Sequence, residues 1–143
     1  MSKVKILKQK GHYFLWVDES LWMWDIPIER INQRKIAEKA FDDVLVAGYG
    51  LGLVQEYLAK NPKVHSITSI EKLGGVIREC KKVYGKVYEN IVVADFYKYN
   101  PNHKFDCVIG DIWADITPES LSEYNKFFKQ AKRLIKKKGS VVA

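Results

Sequence analysis

Three glycines at alternate positions, Gly48-Tyr49-Gly50-Leu51-Gly52, and three later carboxylates, Glu71, Asp95 and Asp111, have types and spacing suited to chemistry. Glycine lets a backbone turn sharply and approach a ligand with no Cβ in the way. Glu71 lies 19 residues beyond Gly52, the separation at which a carboxylate can accept both hydroxyls of a ribose. Neither common phosphate loop fits. A Walker loop needs Gly-Lys-Ser/Thr after its glycines, where this chain has Leu53 and Val54. A dinucleotide fingerprint needs its last glycine three residues after the second, and Gly52 comes after two. Singly, each feature has a plainer reading: a tight turn for the glycines, a solvated charge for Glu71, turn or helix caps for Asp95 and Asp111. Their joint placement after four successive strands argues for one crevice.

Those strands are legible. Val44-Leu45-Val46-Ala47 is a continuous apolar run of the kind buried on both faces of a parallel sheet. Leu53 to Lys60 reads as a helix stopped by Asn61-Pro62. A strand follows from His65 to Ile70, then a helix from Leu73 to Val83 with Leu73, Val76, Ile77 and Cys80 on one face. Ile91 to Ala94 and Phe105 to Ile109 are further strands. Thr117-Pro118 opens a helix whose Tyr124, Phe127, Phe128, Ala131, Leu134 and Ile135 form its core stripe. Gly139 reads as its C-cap, and Ser140 to Ala143 begins a fifth strand. Strands alternating with helices predict an α/β, doubly wound parallel sheet with its ligands beyond the strand carboxyl ends. Ahead of it, His12 to Val17 and Leu21 to Trp24 predict an aromatic β-hairpin, and Pro27 opens a helix with Ile28, Ile31 and Ile36 as its apolar stripe. The expected division is a hairpin segment over 1–28 and a ligand-binding domain over 29–143. The apolar hairpin and the bare edge of the fifth strand lead us to expect self-association, and the ending at Val141-Val142-Ala143 leaves open a fragment of a longer protein.

The net charge of +7 is unevenly spread. Residues 1–12 carry four lysines and residues 126–138 carry seven basic side chains, neither stretch with an acid. The remaining 13 basic residues face all 17 acids, so the excess lies at the two ends. This favours a solvated helix face and a basic tail, with nucleic acid as the alternative partner. Two cysteines and three scattered histidines offer neither a disulfide framework nor a metal site. With no secretory leader and no apolar run of about 20 residues, a reduced, cytoplasmic setting away from membranes is expected.

Val44 to Gly52 resembles motif I of the class I S-adenosylmethionine-dependent methyltransferases. Ser69-Ile70-Glu71-Lys72 is similar to their acidic ribose-binding strand end, and Val93-Ala94-Asp95-Phe96 to their adenine-contacting turn. Phe105 to Asp111 resembles motif IV, and Leu134 to Val142 the passage into their fifth strand. The resemblance covers residues 43–143 and is nearest the spermidine synthase-like branch. It implies a Rossmann-like sheet, here about five strands where the family has seven, and S-adenosylmethionine as cofactor. By the same resemblance Gly48, Tyr49, Gly50, Leu51 and Gly52 border the methionine and ribose, and Glu71 with Lys72 holds the ribose. Asp95 and Phe96 frame the adenine, Asp111 lies near the sulfonium and the acceptor as the catalytic candidate, and Trp113 walls the site. Two departures stand out: Tyr49 and Leu51 replace the family's usual residues between the glycines, and no Asn-Pro-Pro-Tyr or Asp-Pro-Pro-Tyr follows the fourth strand, which argues against amino-methylating DNA enzymes.

The leading expectation is a methyltransferase whose acceptor is a small molecule or an exposed group on a macromolecule, the small molecule favoured. The second is spermidine synthase-like aminopropyl transfer, with Asp111, Asp115 and Glu119 receiving a polyamine. The third is a non-catalytic nucleic-acid or protein binding module of the same fold.

Overall fold

In a computed structural model of the chain, which describes residues 2–88, 90–110 and 118–142, Val44 and Val46 enter one apolar layer while Leu45 and Ala47 enter another. All four are fully buried, so this strand is covered on both faces. It is the centre of a five-stranded parallel sheet built from β4 (Asp42–Ala47), β5 (Val64–Glu71), β6 (Ile91–Val93), β7 (Phe105–Gly110) and β8 (Ile135–Val142), in the order β6-β5-β4-β7-β8. Between and around the strands run α1 (Pro27–Glu38), α2 (Leu53–Ala59), α3 (Gly74–Tyr84) and α4 (Pro118–Leu134). Ala37 of α1 and Ala40 just beyond it, with Val54 and Leu58 of α2, pack on one face against Val44, Val46, Cys107 and Ile109. Phe127, Ala131 and Leu134 of α4 pack on the other against Leu45, Ala47 and Val108. Each large side chain buried this way contributes about 1.5–3 kcal/mol.

The chain reverses direction around β4. It steps outward through β5 and β6, then returns to β4's other side with β7 and β8. The loops after β4, β5 and β6 therefore leave the same edge of the sheet, the edge at which ligands bind in such folds.

The N-terminal segment holds more structure than a hairpin. A strand over 4–9 joins the two expected ones, giving an antiparallel sheet β1 (Val4–Gln9), β2 (His12–Val17) and β3 (Ser20–Trp24). Its inner residues Ile6 and Leu15 share a core with Tyr49, Leu51, Val76 and Cys80, so the sheet lies over the glycine loop and α3. Buried Asp25 joins it to the helices. Its Oδ1 accepts from the Tyr13 N–H at 2.7 Å, and its Oδ2 lies 3.4 Å from Arg30, which also pairs with Glu56 of α2 at 3.0 Å.

Two expectations require correction. Ile28 and Ile31 are not the buried stripe of α1: they are exposed, and Gln33 and Ala37 face inward. The helix stripe was inferred from residue type, but the neighbouring α2 presents its surface to the other side of α1. Nor is Gly139 a C-cap. Strand β8 begins directly at Ile135. Its register with β7 slips between Phe105 and Cys107, which face Ile135 and Ser140, so Lys136 to Gly139 form a wide bulge. A Cβ on Gly139 would stand 2.9 Å from the Asp106 carbonyl oxygen, so the close approach of the two backbones explains the glycine.

Candidate functional site

Gly48, Gly50 and Gly52 all have positive φ, at 100°, 58° and 75°. Three left-handed residues within five fold the loop after β4 back on itself, which residues with a Cβ resist. The loop closes around its own Tyr49. That ring is buried, its hydroxyl accepts from the Tyr88 N–H at 3.1 Å, and a Cβ on Gly52 would lie 2.8 Å from it. Burial raises the Tyr49 phenol to about 12, so the hydroxyl stays protonated. Leu51 is likewise buried. Tyr49 and Leu51 thus anchor the loop in the core, and Met23 of β3 lies over Gly50, where a Cβ would stand 3.6 Å from it.

Glu71 ends β5 and is 7% exposed. Its Oε1 accepts from the Tyr49 N–H at 3.1 Å and its Oε2 from the Leu73 N–H at 2.9 Å. One carboxylate therefore clamps the glycine loop to the start of α3. Each oxygen has capacity for a further hydrogen bond, which suits a vicinal diol. A groove of about 450 Å³ leads to it, lined by Glu71, Lys72 and Leu73 on one side and by Val17, Ser20 and Trp22 among the residues on the other.

Asp95 leaves the sheet beside Glu71: the Ala94 N–H donates to the Glu71 carbonyl at 3.1 Å. Its carboxylate accepts from the Tyr97 N–H at 3.0 Å and caps a single 3₁₀ turn, Phe96–Lys98. Asp95 is not among the residues lining the groove. Phe96, expected at an adenine, turns inward and stacks on Phe127 with ring centres 5.4 Å apart. The structure thus brings together the glycine loop, Glu71 and Lys72, and sets Asp95 on the adjoining turn. Asp111, Trp113 and Asp115 lie outside the described residues, as does the side chain of Glu119.

Two buried glutamines escaped the sequence reading. Gln55 of α2 donates to the Gly48 carbonyl at 3.2 Å and to the Ser69 hydroxyl at 3.0 Å, pinning the glycine loop to β5. Gln130 of α4 donates to the carbonyls of Phe96 at 2.9 Å and Tyr99 at 3.1 Å, pinning the turn after Asp95. The signal was available: each is a polar residue on the inward stripe of an amphipathic helix. Cys80 adds a third tie, donating to the Gly50 carbonyl at 3.3 Å.

A larger concavity, about 500 Å³, lies away from this edge between His12, Asp25, Arg30, Arg34 and Tyr57. Burial opposes the charge of Arg30, but hydrogen bonding with Tyr57 and the field of Glu56 outweigh it and raise its pKa. That guanidinium is already matched by Asp25 and Glu56, so the cavity is a structural junction despite its size.

No family model matches the chain. A curated relative, "Ribosomal RNA small subunit methyltransferase A" of Flavobacterium johnsoniae, is 30% identical over 161 aligned positions, covering 98% of this chain and 56% of the relative. Spermidine synthase from Thermotoga maritima superposes with a TM-score of 0.70 at 17% identity, covering 95% of this chain and 50% of that one. A DhpI–SAH complex superposes with a TM-score of 0.60 at 18% identity, covering 80% and 53%. The chain thus spans about half the length of the proteins it matches. Its fold is that of the class I S-adenosylmethionine-dependent methyltransferases, and its sequence is similar to one such enzyme over about half of that enzyme's length.

Proposed function

We propose that the chain is the cofactor-binding part of an S-adenosylmethionine-dependent methyltransferase, with the groove at Glu71, Lys72 and Leu73, beside the glycine loop, as its site. The observation that carries this reading is the Glu71 carboxylate, buried, fixed by two backbone N–H groups and still able to accept from a diol. These residues fit an adenosine. Glu71 would hold the ribose hydroxyls, the backbone of Gly48 to Gly52 would run beside the sugar and amino-acid portion, and Asp95 would border the base. When bound, the sulfonium supplies a methyl carbon already activated toward a nucleophile. The chain's task is then alignment, which supplies up to about 7–11 kcal/mol when both partners are held. Asp111 is retained as the group that orients the acceptor.

The acceptor class we favour is RNA. The name of the curated relative supports it, as do the acid-free basic ends of the chain. This replaces the small molecule favoured on sequence alone. A second reading, aminopropyl transfer, is favoured by the superposition with a spermidine synthase over 95% of the chain.

Calorimetry with S-adenosylmethionine, its demethylated product and its decarboxylated relative separates these readings. Glu71→Gln is expected to weaken binding of the first two at least tenfold, as expected for losing charged hydrogen bonds. Lys137→Ala, on the exposed bulge of β8, should leave binding unchanged. Equal effects from the two substitutions would move the site elsewhere, and preference for the decarboxylated compound would select aminopropyl transfer.

A further inference from the structure

The antiparallel sheet at the N-terminus has two unlike faces. Partners across a strand pair share a face, and alternate residues along a strand switch faces. The pairs Ile6↔Leu15 and Leu15↔Met23 face inward to the shared core. The pairs Lys5↔Trp16, Leu7↔Phe14, Phe14↔Trp24 and Trp16↔Leu21 therefore face outward. Leu7 is 47% exposed, Trp24 38% and Leu21 37%, while Phe14 and Trp16 are half-buried. Phe14 and Trp24 meet edge to face at 6.2 Å, so two flat ring systems stand at 85° to each other on this face of the sheet.

An apolar surface of this kind is made to be covered. What covers it is read from charge. Edge strand β1 places Lys5 on the face itself and Lys10 at the β1–β2 turn, and residues 1–12 contain no acid. Asp18 and Glu19 lie in the β2–β3 turn, at the far end of the strands from Lys10 and one strand pair from Lys5, where Asp18 accepts from the Lys3 N–H at 2.7 Å. A second copy would bring a like-charged edge, and a net charge of +7, against the first. A polyanion with flat, unpaired rings meets both the lysines and the aromatics. Side chains on an open sheet that stack bases, with cations along the backbone track, are a recurrent solution for single strands.

We propose that the outer face of β1–β2–β3 is a stacking platform for single-stranded RNA, with Phe14, Trp16 and Trp24 taking bases and Lys5 and Lys10 taking phosphates. The choice of RNA rests on the acceptor reading above, whereas the stacking chemistry does not. Trp22, the extra residue at the β3 bulge, is 54% exposed and lines the groove that holds Glu71, so the platform adjoins the site.

The test uses the whole chain and a fluorescein-labelled, unstructured RNA of about 12 nucleotides, followed by anisotropy and by tryptophan quenching. Trp24→Ala is expected to weaken binding on the order of tenfold, and Trp24→Phe to restore most of it. Lys5→Ala is expected to lower the slope of log affinity against log salt by about 1. All three variants should bind S-adenosylmethionine as the parent does, so loss of RNA binding alone is distinguishable from failure of the methyltransferase reading. The proposal is overturned if Trp24→Phe and Lys5→Ala both bind as the parent does with no loss on Trp24→Ala, or if the RNA duplex or the matching DNA strand binds as tightly. It is equally overturned if sedimentation shows a dimer that Trp24→Ala dissociates and RNA does not.

Discussion

Gln55 shows how much of this site depends on side chains that never touch a ligand. It is fully buried in α2, and its amide nitrogen serves both the Gly48 carbonyl and the Ser69 hydroxyl. Its Oε1 has no partner among the described residues. In Gln55→Met, similar in shape but without donors, two buried acceptors lose their donor while one unpaired oxygen disappears. Stability should fall by about 1 kcal/mol, the low end for a buried group left unmet. Urea unfolding reads this directly, and calorimetry should show weaker cofactor binding because the loop is no longer pinned. At this scale the sequence was legible where chemistry restricts residue type: glycines at three positive-φ positions, and a carboxylate at a strand end. It misled where type is permissive. Phe96 beside Asp95 was expected as a wall for adenine, and it packs instead in the core against Phe127, a partner 31 residues away that nothing local to it announces.

At the scale of elements, the strands and helices from Asp42 onward were readable because burial on both faces forces continuous apolar runs. The strand β1 was hidden: Val4-Lys5-Ile6-Leu7-Lys8 alternates imperfectly, its lysines read as tail, and only pairing with β2 orders it. The join of α4 to β8 was hidden too, since no turn residue separates Leu134 from Ile135. Close packing of elements is testable at Gly110, the last residue of β7. A Cβ there would stand 2.6 Å from the Phe127 ring, which is itself fully buried and stacked on Phe96. With no room for that ring to retreat, Gly110→Ala should cost about 1–3 kcal/mol in urea unfolding. Adding Phe127→Leu should recover part of that loss, so the double variant is less destabilised than the sum of the singles. Additive losses would mean that the strand and α4 meet less closely than these distances state.

Across the whole molecule, four weak acids packed in or beside the core, Tyr49, Cys80, Tyr84 and Cys107, are kept neutral by burial. Burial raises the Cys80 thiol from 9.0 to about 12, with the charges of Glu71 and Glu79 adding to it. Burial likewise raises Cys107 from 9.0 to about 11 and Tyr49 from 10.0 to about 12, and it raises Tyr84 above its ordinary 10.0. In the unfolded chain these groups ionise from about pH 9 upward, while in the fold they keep their protons. Above that pH the unfolded state binds fewer protons than the native one, so stability must fall as pH rises. The contribution is complete below the unfolded values and is lost between about pH 9 and the folded values near 11 to 12. Urea midpoints should therefore drop steadily across that window, with the thiolate absorbance of Cys80 and Cys107 appearing only as the chain unfolds. Cys80→Ala removes one titrating group, along with the bond to the Gly50 carbonyl, so it should lower the midpoint at neutral pH yet make its alkaline decline shallower. A decline of unchanged slope would show that Cys80 ionises as readily in the fold as outside it, and that the core beneath the glycine loop admits water.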